Sequence, residues 1–121
     1  MVQVWIVDDH PGFRRAVSSV VAATPGFIVA GEAATGEAAI AAIADGANLV
    51  LMDIHMPGIG GIEATRRLRA HHPELVVLLM SGHDDTDLPD GADCCGAISY
   101  LRKETLTPDR LTRAWANART R

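Results

Sequence analysis

The sequence predicts an α/β domain: an open, doubly wound sheet of five parallel strands with helices on both faces. Three observations carry this expectation. Five short apolar segments recur along the 121 residues: VQVWIV (2–7), FIVAG (27–31), NLVLM (48–52), LVVLLM (75–80) and AISYL (97–101). Most are near-continuous apolar runs rather than alternating ones, the pattern of strands covered on both faces. Helical periods fall between them, and strand–helix alternation of this kind implies right-handed βαβ units in an open parallel sheet.

The helices follow from spacing and caps. Phe13, Val17, Val20 and Val21 share one face of a first helix, and Ile40 and Ile43 do so in an alanine-rich segment from Gly36 to Ala44. Thr35 is placed to cap that second helix, although Ala38 stands where a capping box needs an acid or amide. Gly46 sits where the helix should stop. Ile62, Thr65 and Leu68 make a third stripe ahead of His71. Leu111, Ala114, Trp115 and Ala118 make the last, with Thr107 as cap and Pro108 at the first helical position. The exception is DDTDLPDGADCC (84–95), where the fourth helix belongs. Leu88, Ala92 and Cys95 keep a thin stripe there, interrupted by Pro89 and Gly91. Proline costs ~3 kcal/mol in a helix interior and glycine ~1. An extended loop from His83 to about Leu88, then a short or frayed helix, is expected.

Composition bounds the rest. The length is that of one domain, and the 48% apolar fraction suffices for one core. No internal repeat or linker divides the chain, so residues 1–121 are expected to form a single domain. No apolar run approaches the ~20 residues of a membrane span, and no secretory signal opens the chain. Cys94 and Cys95 are adjacent, and neighbouring cysteines bridge only with strain. Two free thiols fit a reducing, cytoplasmic location. The formal net charge of −4 argues against nucleic acid as a direct ligand. Arg66, Arg67 and Arg69 are read as a solvated helix face.

The chemistry lies in what ends each strand. The first ends in Asp8 and Asp9, the third in Asp53 and the fourth in Ser81, and Lys103 closely follows the fifth. In an open α/β sheet the ligand site lies outside the carboxyl ends of the strands. If strands one, three, four and five are neighbours, these five side chains converge on one crevice. Three carboxylates there need a counter-charge, because repulsion would otherwise drive protons onto them. Mg²⁺ removes the problem with oxygen ligands and retained waters, and Asp9, Asp53 and a nearby backbone carbonyl would suit it. A metal, an ammonium and a hydroxyl around one carboxylate form a clamp for a phosphoryl group. The carboxylate itself can be the nucleophile, giving an aspartyl-phosphate. Asp53 is the acid central to the arrangement. Taken singly, Asp8-Asp9 could solvate a strand end, Ser81-Gly82 could be a turn and Lys103 a surface lysine; it is their joint placement that points to a site.

These residues match a known family. IVDDHPGFR (6–14), LVLMDIHMPGIGGIEATRRLR (49–69), LLMSGHDD (78–85) and YLRKE (100–104) resemble the response regulator receiver domain of bacterial two-component signalling, over essentially the whole chain. The DDHP opening, the GIEATRRLR helix and Glu104 after the lysine resemble the subgroup usually fused to a LuxR-type helix-turn-helix output domain. The resemblance implies a flavodoxin-like sheet of order 2-1-3-4-5. It implies that Asp53 accepts phosphate from a phosphohistidine of a sensor histidine kinase, with Mg²⁺ as cofactor. Asp9 would bind the metal directly, Asp8 mostly through water, and the main-chain carbonyl of His55 would complete the protein ligands. Lys103 would pair with the acceptor and then with the phosphoryl group. Ser81 would swing in to the phosphoryl oxygen, with Tyr100 rotating into the space vacated. Gly82 and His83 would border the site. A phosphorylation-dependent homodimer is an expected partner state, and DNA would be met only through an output domain beyond Arg121. The sequence leaves open whether this is an excised receiver or one that works alone.

Rival readings have weaker footing. His10, His55 and His83 each stand within two residues of a site residue and could join the acids around a transition metal, but no pair has the spacing of a preformed histidine site. His55 and His83 are instead expected to modulate the lifetime of the phosphate, and His71 and His72 to form a solvated helix end. Phosphatases of the haloacid dehalogenase type share the aspartyl-phosphate and Mg²⁺, but Asp53-Ile54-His55 lacks the second acid of their D-x-D pattern. The expected activity is therefore that of a switch, with at most slow self-phosphorylation and self-dephosphorylation. The intact set of five residues argues against a degenerate receiver.

Overall fold

The computed structural model describes residues 1–82 and 99–119. Five parallel strands form one sheet of order β2-β1-β3-β4-β5: β1 Val2–Val7, β2 Phe27–Ala33, β3 Leu49–Asp53, β4 Val76–Ser81 and β5 Ser99–Arg102. This is the flavodoxin-like order expected. Four helices are described: α1 Pro11–Ala23, α2 Gly36–Ala42, α3 Gly60–His71 and α4 Pro108–Arg119. A single 3₁₀ turn, Lys103–Thr105, follows β5. The expectations for a loop and a short fourth helix between His83 and Cys95, for Cys94 and Cys95, and for His83 fall outside the described residues.

The strands divide their side chains between two cores. Val7, Val50, Met52, Val77 and Leu79 face Ala39 and Ile43 of the α2 region and Ala64 and Leu68 of α3. Val4, Ile6, Leu49, Leu51, Leu78 and Met80 face Val17 and Val21 of α1 and Leu111 of α4, with Trp115 packed alongside. β3 is buried at all five positions, as a central strand with two covered faces must be. β2 alternates in burial and leaves Ile28 exposed, which fits its place at the sheet edge.

The caps behave as expected. Ala38 N–H donates to Thr35 Oγ1 at 3.0 Å, and Arg110 N–H donates to Thr107 Oγ1 at 3.2 Å. α2 ends at Ala42, two residues earlier than its alanine run suggests; Ile43 is already extended and Gly46 takes a positive φ of 102°. Phe13 departs from the expected stripe. Its ring is 41% exposed, near the carboxyl ends of the strands rather than in the core.

Candidate metal-binding and phosphoacceptor site

β1, β3, β4 and β5 are consecutive in the sheet, so their carboxyl ends lie side by side. Asp8 and Asp9 leave β1, Asp53 closes β3, Ser81 closes β4 and Lys103 opens the turn after β5. Asp8, Asp53 and Ser81 are buried, while Asp9 is partly exposed. The Lys103 side chain is only 4% exposed, and its Nζ stands 2.7 Å from Asp8 Oδ2 and 3.3 Å from Asp53 Oδ2. One ammonium thus bridges two buried carboxylates. The Phe13 ring lies under this ammonium, 4.5 Å from Nζ to the centroid, a cation–π contact.

The acids are held from several sides. His10 N–H donates to Asp8 Oδ1 at 2.9 Å, and Arg14 Nη1 donates to the Asp8 carbonyl at 2.8 Å. His10 Nδ1 lies 3.2 Å from Asp8 Oδ1 and 3.1 Å from Asp9 Oδ1. His55 N–H donates to Asp53 Oδ1 at 3.3 Å, which sets the His55 peptide against this carboxylate. Burial pushes the Asp53 carboxyl up from 3.8 to about 6; the charge of Asp8 adds to the rise, and Lys103 and the His55 N–H oppose it.

Three buried carboxylate oxygens, Asp8 Oδ2, Asp9 Oδ1 and Asp53 Oδ2, accept no hydrogen bond from the described residues. Ion-pair contacts from Lys103 and His10 reach them, without hydrogen-bond geometry. Donor atoms of Asp8, Asp9, His10 and Asp53 all lie within 4.8 Å of one another. Buried anionic oxygens left without hydrogen bonds are suited to a divalent cation. The donor set therefore fits Mg²⁺, with Asp8, Asp9 and Asp53 as the residues to hold it.

The remaining expected positions are distributed around this centre. Gly82 follows Ser81 and is half-buried. Tyr100 is half-buried beside Leu79 of β4 and packs against the core that contains Met52. His55 is exposed at the rim. Arg66 and Arg67 bind Glu63 on the solvent face of α3, whereas Arg69 Nη1 is turned to the carbonyls of Pro73 and, at 2.7 Å, Leu75. At the end of α3, His71 is exposed, and His72 is half-buried with its Nδ1 3.3 Å from the exposed Asp45. A cleft of about 790 Å³ lined by Asn48, His72 and Trp115 opens at the opposite, amino end of the strands, away from the acid pocket.

Two contributors were missed by the sequence argument. Spacing offers His10 only as a candidate ligand to a transition metal, yet its Nδ1 touches both Asp8 and Asp9. Gly61 was read only as part of a motif. A Cβ built on Gly61 would lie 2.0 Å from the Asp53 carbonyl oxygen, and Gly61 N–H donates to the Ile54 carbonyl at 3.1 Å. The start of α3 thus rests directly on the backbone of Asp53. Adjacent glycines before an apolar stripe were the available signal.

Comparison with known proteins agrees with this geometry. The family pattern described as "Response regulator receiver domain" matches residues 4–116. Transcriptional regulatory protein DegU of Brevibacillus brevis is 38% identical over 104 residues, which cover 85% of this chain and 44% of that protein. The chain spans about half the length of the curated relatives it matches. Among solved structures, the signal receiver domain of the putative response regulator NarL from Mycobacterium tuberculosis superposes with a TM-score of 0.83 at 32% identity, covering 99% of this chain and 98% of that one. A LuxR-family two-component response regulator from Aurantimonas superposes with a TM-score of 0.85 at 30% identity, covering 100% and 87%. No helix among the described residues is long and apolar enough to cross a membrane. The fold, the acid pocket and the match over residues 4–116 together place this chain in the response regulator receiver domain family.

Proposed function

We propose that this receiver domain is a phosphorylation switch in which Asp53 takes a phosphoryl group from a phosphohistidine of a sensor histidine kinase. The observation that carries the reading is the position of Asp53: a buried carboxylate at the end of the central strand, 3.3 Å from Lys103 and crowded by Asp8. In the transfer, an Asp53 carboxylate oxygen forms a bond to phosphorus as the phosphorus–nitrogen bond of the donor histidine breaks. The imidazole departs with the electron pair. Mg²⁺, when bound, neutralises charge on the transferring oxygens and offsets the repulsion between the acids.

The residues of the chain divide the remaining work. Asp8, Asp9 and the His55 carbonyl would hold the metal with Asp53. Lys103 exchanges its contact with Asp53 for one with the phosphoryl group, so no buried ammonium is left unpaired. Ser81, one strand away, donates its hydroxyl to a phosphoryl oxygen, and Tyr100 turns inward as β4 adjusts. This contact exists in only one of the two states, which is what a switch requires. Water attack on phosphorus later returns the carboxylate and releases inorganic phosphate, slowly and without a further enzyme. The output we infer is transcriptional, through a LuxR-type domain and phosphorylation-dependent pairing, because relatives of about twice the length include a transcriptional regulatory protein.

Incubation with a small-molecule phosphodonor and Mg²⁺, followed by intact-mass measurement, tests this. A single phosphoryl adduct is expected on the parent, and none on Asp53→Asn or when Mg²⁺ is chelated. An equal adduct on Asp53→Asn would overturn the proposal.

A further inference from the structure

The acid pocket contains a nitrogen donor that the Mg²⁺ reading does not use. His10 Nδ1 is 3.2 Å from Asp8 Oδ1 and 3.1 Å from Asp9 Oδ1. In an octahedral shell with bonds of about 2.1 Å, adjacent donors stand about 3.0 Å apart. The imidazole nitrogen therefore stands from each of these oxygens at about the spacing of neighbouring corners of such a shell. The ring is held in that attitude from outside, packed edge-to-face on Phe13 with centroids 5.8 Å apart and planes at 89°. The His10 N–H bond to Asp8 Oδ1 fixes the backbone beneath it. One donor atom each from Asp8, Asp9, His10 and Asp53 lie within 4.8 Å of one another, and Lys103 Nζ is the cation that stands beside Asp8 Oδ2 and Asp53 Oδ2.

We infer that this pocket is a mixed nitrogen–oxygen site in which His10 Nδ1 ligates first-row transition metals such as Ni²⁺, giving them a preference over Mg²⁺ larger than the carboxylates alone would. Imidazole suits Ni²⁺, Co²⁺ and Zn²⁺, while Mg²⁺ prefers oxygen and keeps its waters. The inference rests on the reading of the acids as a cation site, and it adds a specificity-determining residue to that site. His10 would contribute to transition-metal binding and little to Mg²⁺ binding.

Calorimetric titration of the tag-free chain with nickel chloride and with magnesium chloride, near neutral pH, tests it. His10→Ala is expected to weaken Ni²⁺ about tenfold or more, since even outer-shell partners of a ligand change metal affinity by that factor. Mg²⁺ affinity should change by less than about twofold, and His71→Ala, at the exposed end of α3, should change neither. A structural role for His10 in steadying Asp8 and Asp9 would weaken both metals in parallel. A parallel loss, an unchanged Ni²⁺ affinity, or an equal loss of Ni²⁺ affinity in His71→Ala would each overturn the inference. If the parent binds Ni²⁺ through His10 but does not bind Mg²⁺, the inference stands and the Mg²⁺ reading above falls.

Discussion

Replacing Asp53 by asparagine should stabilise the metal-free protein, although it abolishes the proposed function. The substitution keeps the shape of the side chain and removes its charge. Asp53 is buried at 2% exposure, and its carboxyl is held at about 6 rather than 3.8 in spite of Lys103. Holding the charged form under those conditions costs about 3 kcal/mol relative to the unfolded chain. Between pH 3.8 and about 6 the folded state binds more protons at this carboxyl than the unfolded state does. Its contribution to stability therefore falls as pH rises through that window, and the whole cost is present above it. Asp53→Asn escapes the cost but leaves Lys103 with Asp8 as its remaining partner at this centre, which returns part of the gain. A net stabilisation of about 1–3 kcal/mol near pH 7.5 is expected, or roughly 4 °C per kcal/mol in a domain of this size. Urea denaturation of both proteins in chelator, across pH 4 to 8, measures the difference. The advantage should shrink towards zero on the acid side of the window and plateau on the other. A variant less stable than the parent near neutrality, or an advantage independent of pH, would refute the reasoning. Adding Mg²⁺ should narrow or reverse the difference, because a cation that needs Asp53 stabilises the parent by mass action.

Three further outcomes follow from the same geometry. Lys103→Met, which keeps the length of the stem, strips two buried carboxylates of their cation; the loss of stability in chelator should be about 3 kcal/mol, with Mg²⁺ restoring a large part of it in the same denaturation assay. Gly61→Ala forces a methyl against the Asp53 carbonyl; it should cost about 1–3 kcal/mol by denaturation and slow phosphoryl uptake measured by mass, whereas Gly12→Ala, which meets nothing within 4 Å, should leave uptake unchanged. Thr35→Ala removes the cap bond to Ala38 and should cost about 1 kcal/mol in thermal melts without altering phosphoryl uptake.

Much of the fold was legible because strand burial leaves a direct mark. The uninterrupted apolar run Leu49–Met52 belongs to a strand covered on both faces, and the acid after it belongs to the end where the sheet opens. The alternation of strands and helical stripes then restricts the topology strongly. Boundaries were less legible. The alanines after Ile40 favour helix by propensity, yet α2 stops at Ala42 because Ile43 turns extended and its side chain enters the core. Phe13 shares a helical face with Val17, but a stripe along a helix does not show where the sheet beneath it ends. Phe13 lies past that edge, beneath the Lys103 ammonium. The main members of the site could be read because each terminates a strand. His10 and Gly61 could not be ranked, since their roles depend on a separation of about 3 Å between a ring and two acids and on a backbone approach across two elements. Spacing along the chain carries no such distances.

The central claim is that the phosphoryl group is carried by the Asp53 carboxylate as an acyl phosphate. Borohydride reduction converts an aspartyl-phosphate to homoserine, so reduction of the phosphodonor-treated chain followed by peptide sequencing in the mass spectrometer reads the position directly. Homoserine should appear at position 53 within LVLMDIHMPG, only after treatment with donor and Mg²⁺. Homoserine at position 8 or 9, or a phosphoryl adduct that yields no homoserine, would contradict the account.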